Sequence, residues 1–171
     1  KDILQKEVDR LAGLEKKRRV MNKKEKEIVA YHECGHTLMA ELLPTTDPVH
    51  RVSIIQRGIA ALGYTMQLPT EDRYLMTRSE LLDRLCVMLG GRVAEEIVFK
   101  EISTGAQNDL QRAAGIARSM VTEYGMTDKF GPLTFEKERR PLFLDIGLPS
   151  GAKEYSEDTA REIDQEVKRL I

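Results

Sequence analysis

Tryptophan is absent from this 171-residue chain, and aromatic residues make up only 5% of it. A core must then come from Leu, Ile, Val, Met and Ala, which favours helices packed on helices. Cysteine is scarce as well. Cys34 and Cys86 form neither a zinc-finger spacing nor a disulfide framework, which points to a reducing compartment. No stretch reads as a secretory leader, and no run reaches the ~18 apolar residues that a membrane span needs. Excess charge of one sign is missing too: 27 basic residues face 28 acidic ones, for a net charge of -1. That balance gives no reason to expect nucleic acid or an anionic membrane surface as a partner.

What is present fits a globular protein, with 41% hydrophobic and 32% charged residues. The length suffices for one domain over 1–171 with a substantial core. The chain opens at Lys1 in what reads as the middle of a helix and stops at Ile171 in another, as a fragment of a longer protein would. Leu4, Val8 and Leu11 recur at helical spacing up to Gly13, so 1–13 reads as a short helix and the charge-dense 14–26 as a linker. Asn22 with Glu25 resembles a capping box and predicts a helix to about Leu43, where Pro44 breaks it.

From Val49 the period changes. Val52, Ile54 and Ile55 form a β-rich run, Arg57-Gly58 a turn, and Gly63–Leu68 a second strand in which Tyr64, Met66 and Leu68 alternate with Gly63, Thr65 and Gln67. Ser79-Glu80 predicts a second long helix through Leu81, Leu82, Leu85, Met88 and Leu89, with Gly90-Gly91 as a kink or a point of close approach. Its helical character resumes through Val93, Ile97 and Val98. A third helix opens near Thr104-Gly105 and is capped at Gly125. Residues 136–153 lack periodicity and read as a long loop. Its Gly147–Lys153 stretch has no following Gly-Lys-Ser/Thr and is no phosphate loop. A last helix starts near Ser156 with Ile163, Val167 and Leu170 on one face. The expected class is mainly α with a small β-sheet.

One motif carries chemistry. His32-Glu33-Cys34-Gly35-His36 fits H-E-x-x-H inside the first long predicted helix. Residues four apart lie on one helix face, so both imidazoles can share one zinc ion. Glu33 lies about 100° round the helix from His32, beside the metal, where it can take a proton from water. Cys34 points roughly 200° away from His32 and reads as a small core residue. A catalytic zinc needs a third protein ligand. His50, Glu95, Glu96 and Asp109 are candidates. His50 suits a surface or turn role beside a strand, and an acid such as Asp109 in a helix's first turn also complements the helix dipole. Spacing alone does not choose among them.

The order and spacing of further segments resemble the peptidase domain of the FtsH family of membrane-anchored AAA proteases. They include Tyr31–His36, Asp47–His50, Ala61–Thr65, Leu68-Pro69, Leu89–Arg92, Ala94–Glu96, Thr104–Ala106, Asn108–Leu110, Met120-Val121, Tyr124–Met126 and Gly131-Pro132. The resemblance covers nearly the whole chain. It implies an α-rich, zincin-like metallopeptidase domain with His32, His36 and Asp109 as zinc ligands and Glu33 as base. It also implies Glu95 and Glu96 as an acidic pair behind the ligand histidines. Cys34 stands where the family usually has Ala. By the same resemblance, 1–13 is the end of a preceding ATPase module. The full-length protein is then a homo-hexamer at the inner (cytoplasmic) membrane with its protease facing the cytoplasm. Its membrane contact runs through segments outside this soluble piece.

The expected function is zinc-dependent endoproteolysis of unfolded or membrane protein substrates fed by an ATPase. The segment Gly63, Tyr64, Thr65, Met66 and Gln67 is expected to bind substrate as an edge strand. Two other classes compete. A catalytically inactive ring module that only binds zinc would have no need of Glu33. A zinc amidohydrolase acting on small substrates would have no need of a strand beside the site.

Overall fold

A computed structural model describes residues 21–55, 62–69, 74–135 and 155–171. The expectations for 1–13, most of the linker at 14–26, the Arg57-Gly58 turn and the loop at 136–153 lie outside these residues. In chain order the elements are α1 (Lys23–Leu42), β1 (Val49–Ser53), β2 (Tyr64–Gln67), α2 (Arg78–Phe99), a 3-10 turn (Thr104–Ala106), α3 (Gln107–Thr122) and α4 (Glu157–Leu170). The fold is mainly helical with one two-stranded antiparallel sheet. Backbone contacts gather into two compact units, Lys1–Leu110 and Gln111–Ile171.

The helices begin where side chains satisfy their first N–H groups. At α1, Asn22 Oδ1 accepts from the Glu25 N–H at 2.8 Å, while Glu25 Oε2 accepts from the Asn22 N–H at 3.0 Å. At α2 the cap is Thr77, not Ser79. Glu80 is its third helical residue, and its carboxylate accepts from the Thr77 N–H at 2.6 Å. A cap needs its partner three residues on, and Ser79 precedes Glu80 by only one. Helix α1 ends as Pro44 requires: the residue before a proline is pushed out of the helical region, and Leu43 is extended at φ -85°, ψ 138°. Helix α2 ends at Lys100, which takes the left-handed conformation at φ 54° and donates its N–H to Glu96 O.

In the first unit α1 packs against α2, and the sheet lies against α1. Val29, Ala40, Leu81, Leu85 and Met88 fill the space between. Helix α2 runs unbroken through Gly90 and Gly91, whose role is close approach. A Cβ on Gly90 would stand 2.7 Å from Gly35 O, and one on Gly35 would stand 2.7 Å from the Gly90 carbonyl carbon. The two helix backbones touch there. Because α1 is packed on only part of its circumference, residues away from α2 face outward. Cys34 is therefore exposed and is not the core residue expected. Val93, Ile97 and Val98 of α2 are exposed for the same reason.

In β1 and β2 the register pairs Val49 with Gln67, Arg51 with Met66, Val52 with Thr65 and Ser53 with Tyr64, with a bulge between Val49 and Arg51. Among the described residues no strand pairs with the other edge of β2.

The second unit holds most of α3, the turn after it, and α4. Ala113, Ala117, Met120, Val121 and Ile163 are buried in it. Arg118 pairs with Asp164 at 3.0 Å across α3 and α4. Gly125 lies beyond the end of α3 at φ 59°, a left-handed turn that suits glycine.

The glycines give a paired test. Gly35→Ala forces a methyl into the α2 backbone and is expected to cost at least ~1–3 kcal/mol. Gly115 sits exposed within α3 with nothing within 4 Å of an added Cβ among the described residues. Gly115→Ala is expected to stabilise by ~1 kcal/mol through helix propensity. Chemical denaturation of both variants checks the contrast.

Candidate metal centre

Helix geometry sets His32 and His36 one turn apart on the face of α1 that meets α2. Both are 8% exposed. Two imidazoles fit there because α2 offers no side chain at position 91. A Cβ on Gly91 would stand 2.6 Å from His36 Nε2 and 2.7 Å from His32 Nε2.

The outer nitrogens of both rings are held by α2. His32 Nδ1 donates to Glu95 Oε1 at 2.7 Å, and His36 Nδ1 donates to the Val87 carbonyl at 2.7 Å. A neutral imidazole carries one N–H. With that proton on Nδ1, each Nε2 presents a lone pair inward, as a metal ligand must.

Asp109 completes the group from the first turn of α3. Its Oδ2 lies 3.4 Å from His32 Nε2 and 3.5 Å from His36 Nε2, and the two Nε2 atoms are 3.0 Å apart. A tetrahedral zinc with ligands at ~2.0–2.1 Å separates neighbouring donors by roughly 3.3–3.4 Å. The triangle matches one face of that tetrahedron to within about 0.4 Å. Its chemistry fits too, because two lone pairs and a carboxylate that converge in a buried place repel one another unless a cation lies between them. Burial alone would lower the His32 pKa, but the Asp109 and Glu95 carboxylates beside it outweigh that and raise it. Burial would raise Asp109, yet the two histidines hold its carboxyl far below the usual range.

Glu95 reaches further than His32. It is 2% exposed, and its second oxygen accepts from the Ser103 N–H at 2.8 Å. Arg92, one turn earlier on α2, donates to the Ser103 carbonyl at 2.9 Å. The peptide that leads into the 3-10 turn and on to Asp109 is thus gripped on both sides. Glu96 is exposed, one step round the helix from Glu95. His50 lies exposed on β1 and is not among the clustered donors.

Glu33 points from α1 towards the sheet and is 6% exposed. Its Oε2 accepts from Thr65 Oγ1 of β2 at 2.8 Å, and a Cβ on Gly63 would stand 2.7 Å from its Oε1. Burial raises the Glu33 pKa, opposed by the Thr65 bond and the two histidines. The sequence reading did not find the Thr65 hydroxyl, the Val87 carbonyl, Arg92 or Ser103 as parts of this site. The one sequence signal was Gly90-Gly91, which marked a close approach without saying what approached.

A helix-borne pair of histidines with a buried glutamate between them and an oxygen donor from another helix is the arrangement of a metallopeptidase. The chain belongs to peptidase family M41, whose sequence model matches residues 19–171. It is 68% identical over 161 residues to the ATP-dependent zinc metalloprotease FtsH of Syntrophobacter fumaroxidans, covering 94% of this chain and 25% of that protein. It is 59% identical over 166 residues to the protein of the same name from Ralstonia pickettii, covering 96% and 23%. With that of Endomicrobium trichonymphae it shares 56% over 165 residues, covering 96% and 26%. The chain thus spans about a quarter of the length of the curated relatives it matches.

Zinc titration separates the parts of the centre. Asp109→Ala is expected to abolish tight binding, since a donor is lost outright. Glu95→Gln keeps all three donors and is expected to weaken binding by roughly 10–100-fold. An Asp109 that only complements the helix dipole would cost ~0.3–1 kcal/mol of stability and leave affinity unchanged.

Proposed function

We propose that this chain is the zinc endopeptidase module of a longer ATP-dependent protease, with His32, His36 and Asp109 holding the metal and Glu33 acting as general base. The observation that carries this reading is the inward-facing donor triangle with the buried Glu33 carboxylate on the helix that bears both histidines. When bound, zinc would polarise the scissile carbonyl and acidify water near neutral pH.

The chain's own residues do the rest. Glu33 accepts the proton of the attacking water and delivers it to the leaving amine nitrogen. Its burial, which favours the protonated form, suits a group that must both take and give a proton. Glu95 and the Val87 carbonyl keep the imidazole Nε2 lone pairs turned inward.

The substrate would lie along β2. The Leu68 N–H donates to Pro48 O on the β1 side at 3.3 Å. By strand alternation the backbone groups of Met66 and Tyr64 also face β1, and those of Thr65 and Gln67 face the open edge. An extended peptide added there would bond through its backbone, which suits a protease that accepts many sequences. On this reading Gly63, Tyr64, Thr65, Met66 and Gln67 form the substrate strand. The relatives' names support an ATP-driven machine acting on proteins. In it this module would act within a homo-hexamer on unfolded or membrane protein substrates, at the inner face of the cytoplasmic membrane. No helix among the described residues is long and apolar enough to cross a membrane, so attachment would rest elsewhere.

Two variants test this reading. Glu33→Gln is expected to keep stoichiometric zinc and to lose casein cleavage by at least ~100-fold. Full cleavage would remove the base role, and loss of zinc would make Glu33 structural. For the strand, Gln67→Pro removes an outward N–H and is expected to leave a folded, zinc-loaded protein that turns peptides over slowly. Met66→Pro removes a ladder bond and is expected to destabilise the fold. Normal peptide turnover in Gln67→Pro would place the substrate elsewhere.

A further inference from the structure

The two oxygens of the Glu33 carboxylate are both addressed from β2 and its leading residue, two positions apart. Gly63 leaves room beside Oε1, where any Cβ would collide at 2.7 Å. Thr65 donates its hydroxyl proton to Oε2 at 2.8 Å, with the Glu33 carbonyl oxygen further off at 3.2 Å. Residues i and i+2 of a strand share a face. One face of the segment therefore sets the carboxylate's position: a gap for one oxygen and a donor for the other. A hydroxyl given to a carboxylate is a charge-assisted bond, shorter and stronger than a neutral one. Helix α1 fixes only where the Glu33 side chain begins, and a three-torsion side chain needs a second anchor to hold its end in place.

Thr65 also has a second face of use. By strand alternation its own N–H and C=O point away from β1, to the edge of β2 that is unpaired among the described residues and where the substrate is proposed to add. We infer that Thr65 is a positioning residue that ties the substrate strand to the base, its backbone meeting the peptide while its hydroxyl aims Glu33. This inference rests on the reading of Glu33 as base and of β2 as the docking strand. It has a consequence for the reaction. A peptide that draws β2 into register moves the anchor of Glu33 with it, so the base is aimed most firmly when substrate is present. The metal donors are held separately, by α2 and the segment after it, and do not depend on Thr65.

The test is a set of substitutions in the zinc-loaded full-length protein, assayed on a short unfolded peptide. Thr65→Val keeps the branched shape and raises strand propensity while it removes the hydroxyl. A merely structural Thr65 would tolerate it. The inference expects kcat to fall by about tenfold, a part of the 10²–10⁴ available to general base catalysis, with KM little changed. Zinc affinity is expected to stay at the wild-type value. Thr65→Ser, which restores the hydroxyl, is expected to recover most of kcat. In the Glu33→Gln background, Thr65→Val is expected to cost almost nothing, because two residues that act as one unit are not additive. Unchanged kcat in Thr65→Val, a full second loss in the double variant, or loss of zinc or stability in both Thr65 variants overturns the inference. If Glu33→Gln alone cleaves normally, the assignment of the base fails first. An inactive Glu33→Gln beside a fully active Thr65→Val overturns the Thr65 role alone.

Discussion

The carboxylate of Glu95 is the point on which the centre depends. A carboxylate 2% exposed would be costly to bury unless both its oxygens found donors. One finds the His32 ring and the other the Ser103 peptide. Those partners come from α1 and from the segment after α2, while Glu95 itself belongs to α2. A single side chain therefore fixes three pieces of chain against one another. If it were replaced by an apolar residue, a ring N–H and a backbone N–H would both be buried unpaired, at about 1–3 kcal/mol each. Arg92 adds to the same grip by taking the Ser103 carbonyl. Asp109 gains its place indirectly, since the turn that delivers it is anchored at Ser103.

That arrangement requires the helices to lie nearly in contact, and it is the missing side chains that permit this. Gly35 and Gly90 let the backbones of α1 and α2 meet, and Gly91 makes the hollow into which the two rings project. A wider spacing would put the His36 ring out of reach of the Val87 carbonyl, a backbone group that accepts the bond only at close range. The stiffness of the site thus comes from close packing and backbone acceptors. Glu95 and Arg92 add to it because hydrogen bonds fix the far ends of their side chains.

What the sequence made legible is what is local along the chain. The spacing of His32 and His36, the Asn22 cap with Glu25 and the break at Pro44 depend only on neighbours within a turn or two. The second cap was misplaced by two residues because Ser79 and Thr77 are both good cap residues, and only the reach of Glu80 distinguishes them. Cys34 was misread because a helical face looks buried in sequence whether or not anything packs on it. The donor from α3 and the Thr65 hydroxyl were illegible in spacing for a common reason. Each joins residues more than thirty positions apart, and their meeting is decided by how helices and strands pack. For Asp109 only the family resemblance singled it out. Glu95 and Glu96 show the same limit at finer scale, since adjacent residues on a helix differ by about 100° and only one can face the partner.

The site also divides its supports in a way that bears on its chemistry. The donor atoms are steadied from α2, which contributes the glycine hollow, the Val87 carbonyl, Arg92 and Glu95. The carboxylate of Glu33 is steadied from β2, whose other edge is unpaired among the described residues. On the proposed reading, donor geometry must not change during a catalytic cycle, because displaced donors would lose the ion. On the same reading Glu33, in contrast, must change protonation state between attack and departure. The first hangs on the inward face of a long helix, and the second on a half-buried strand. The two supports still meet on α1, where Glu33 follows His32 directly in sequence.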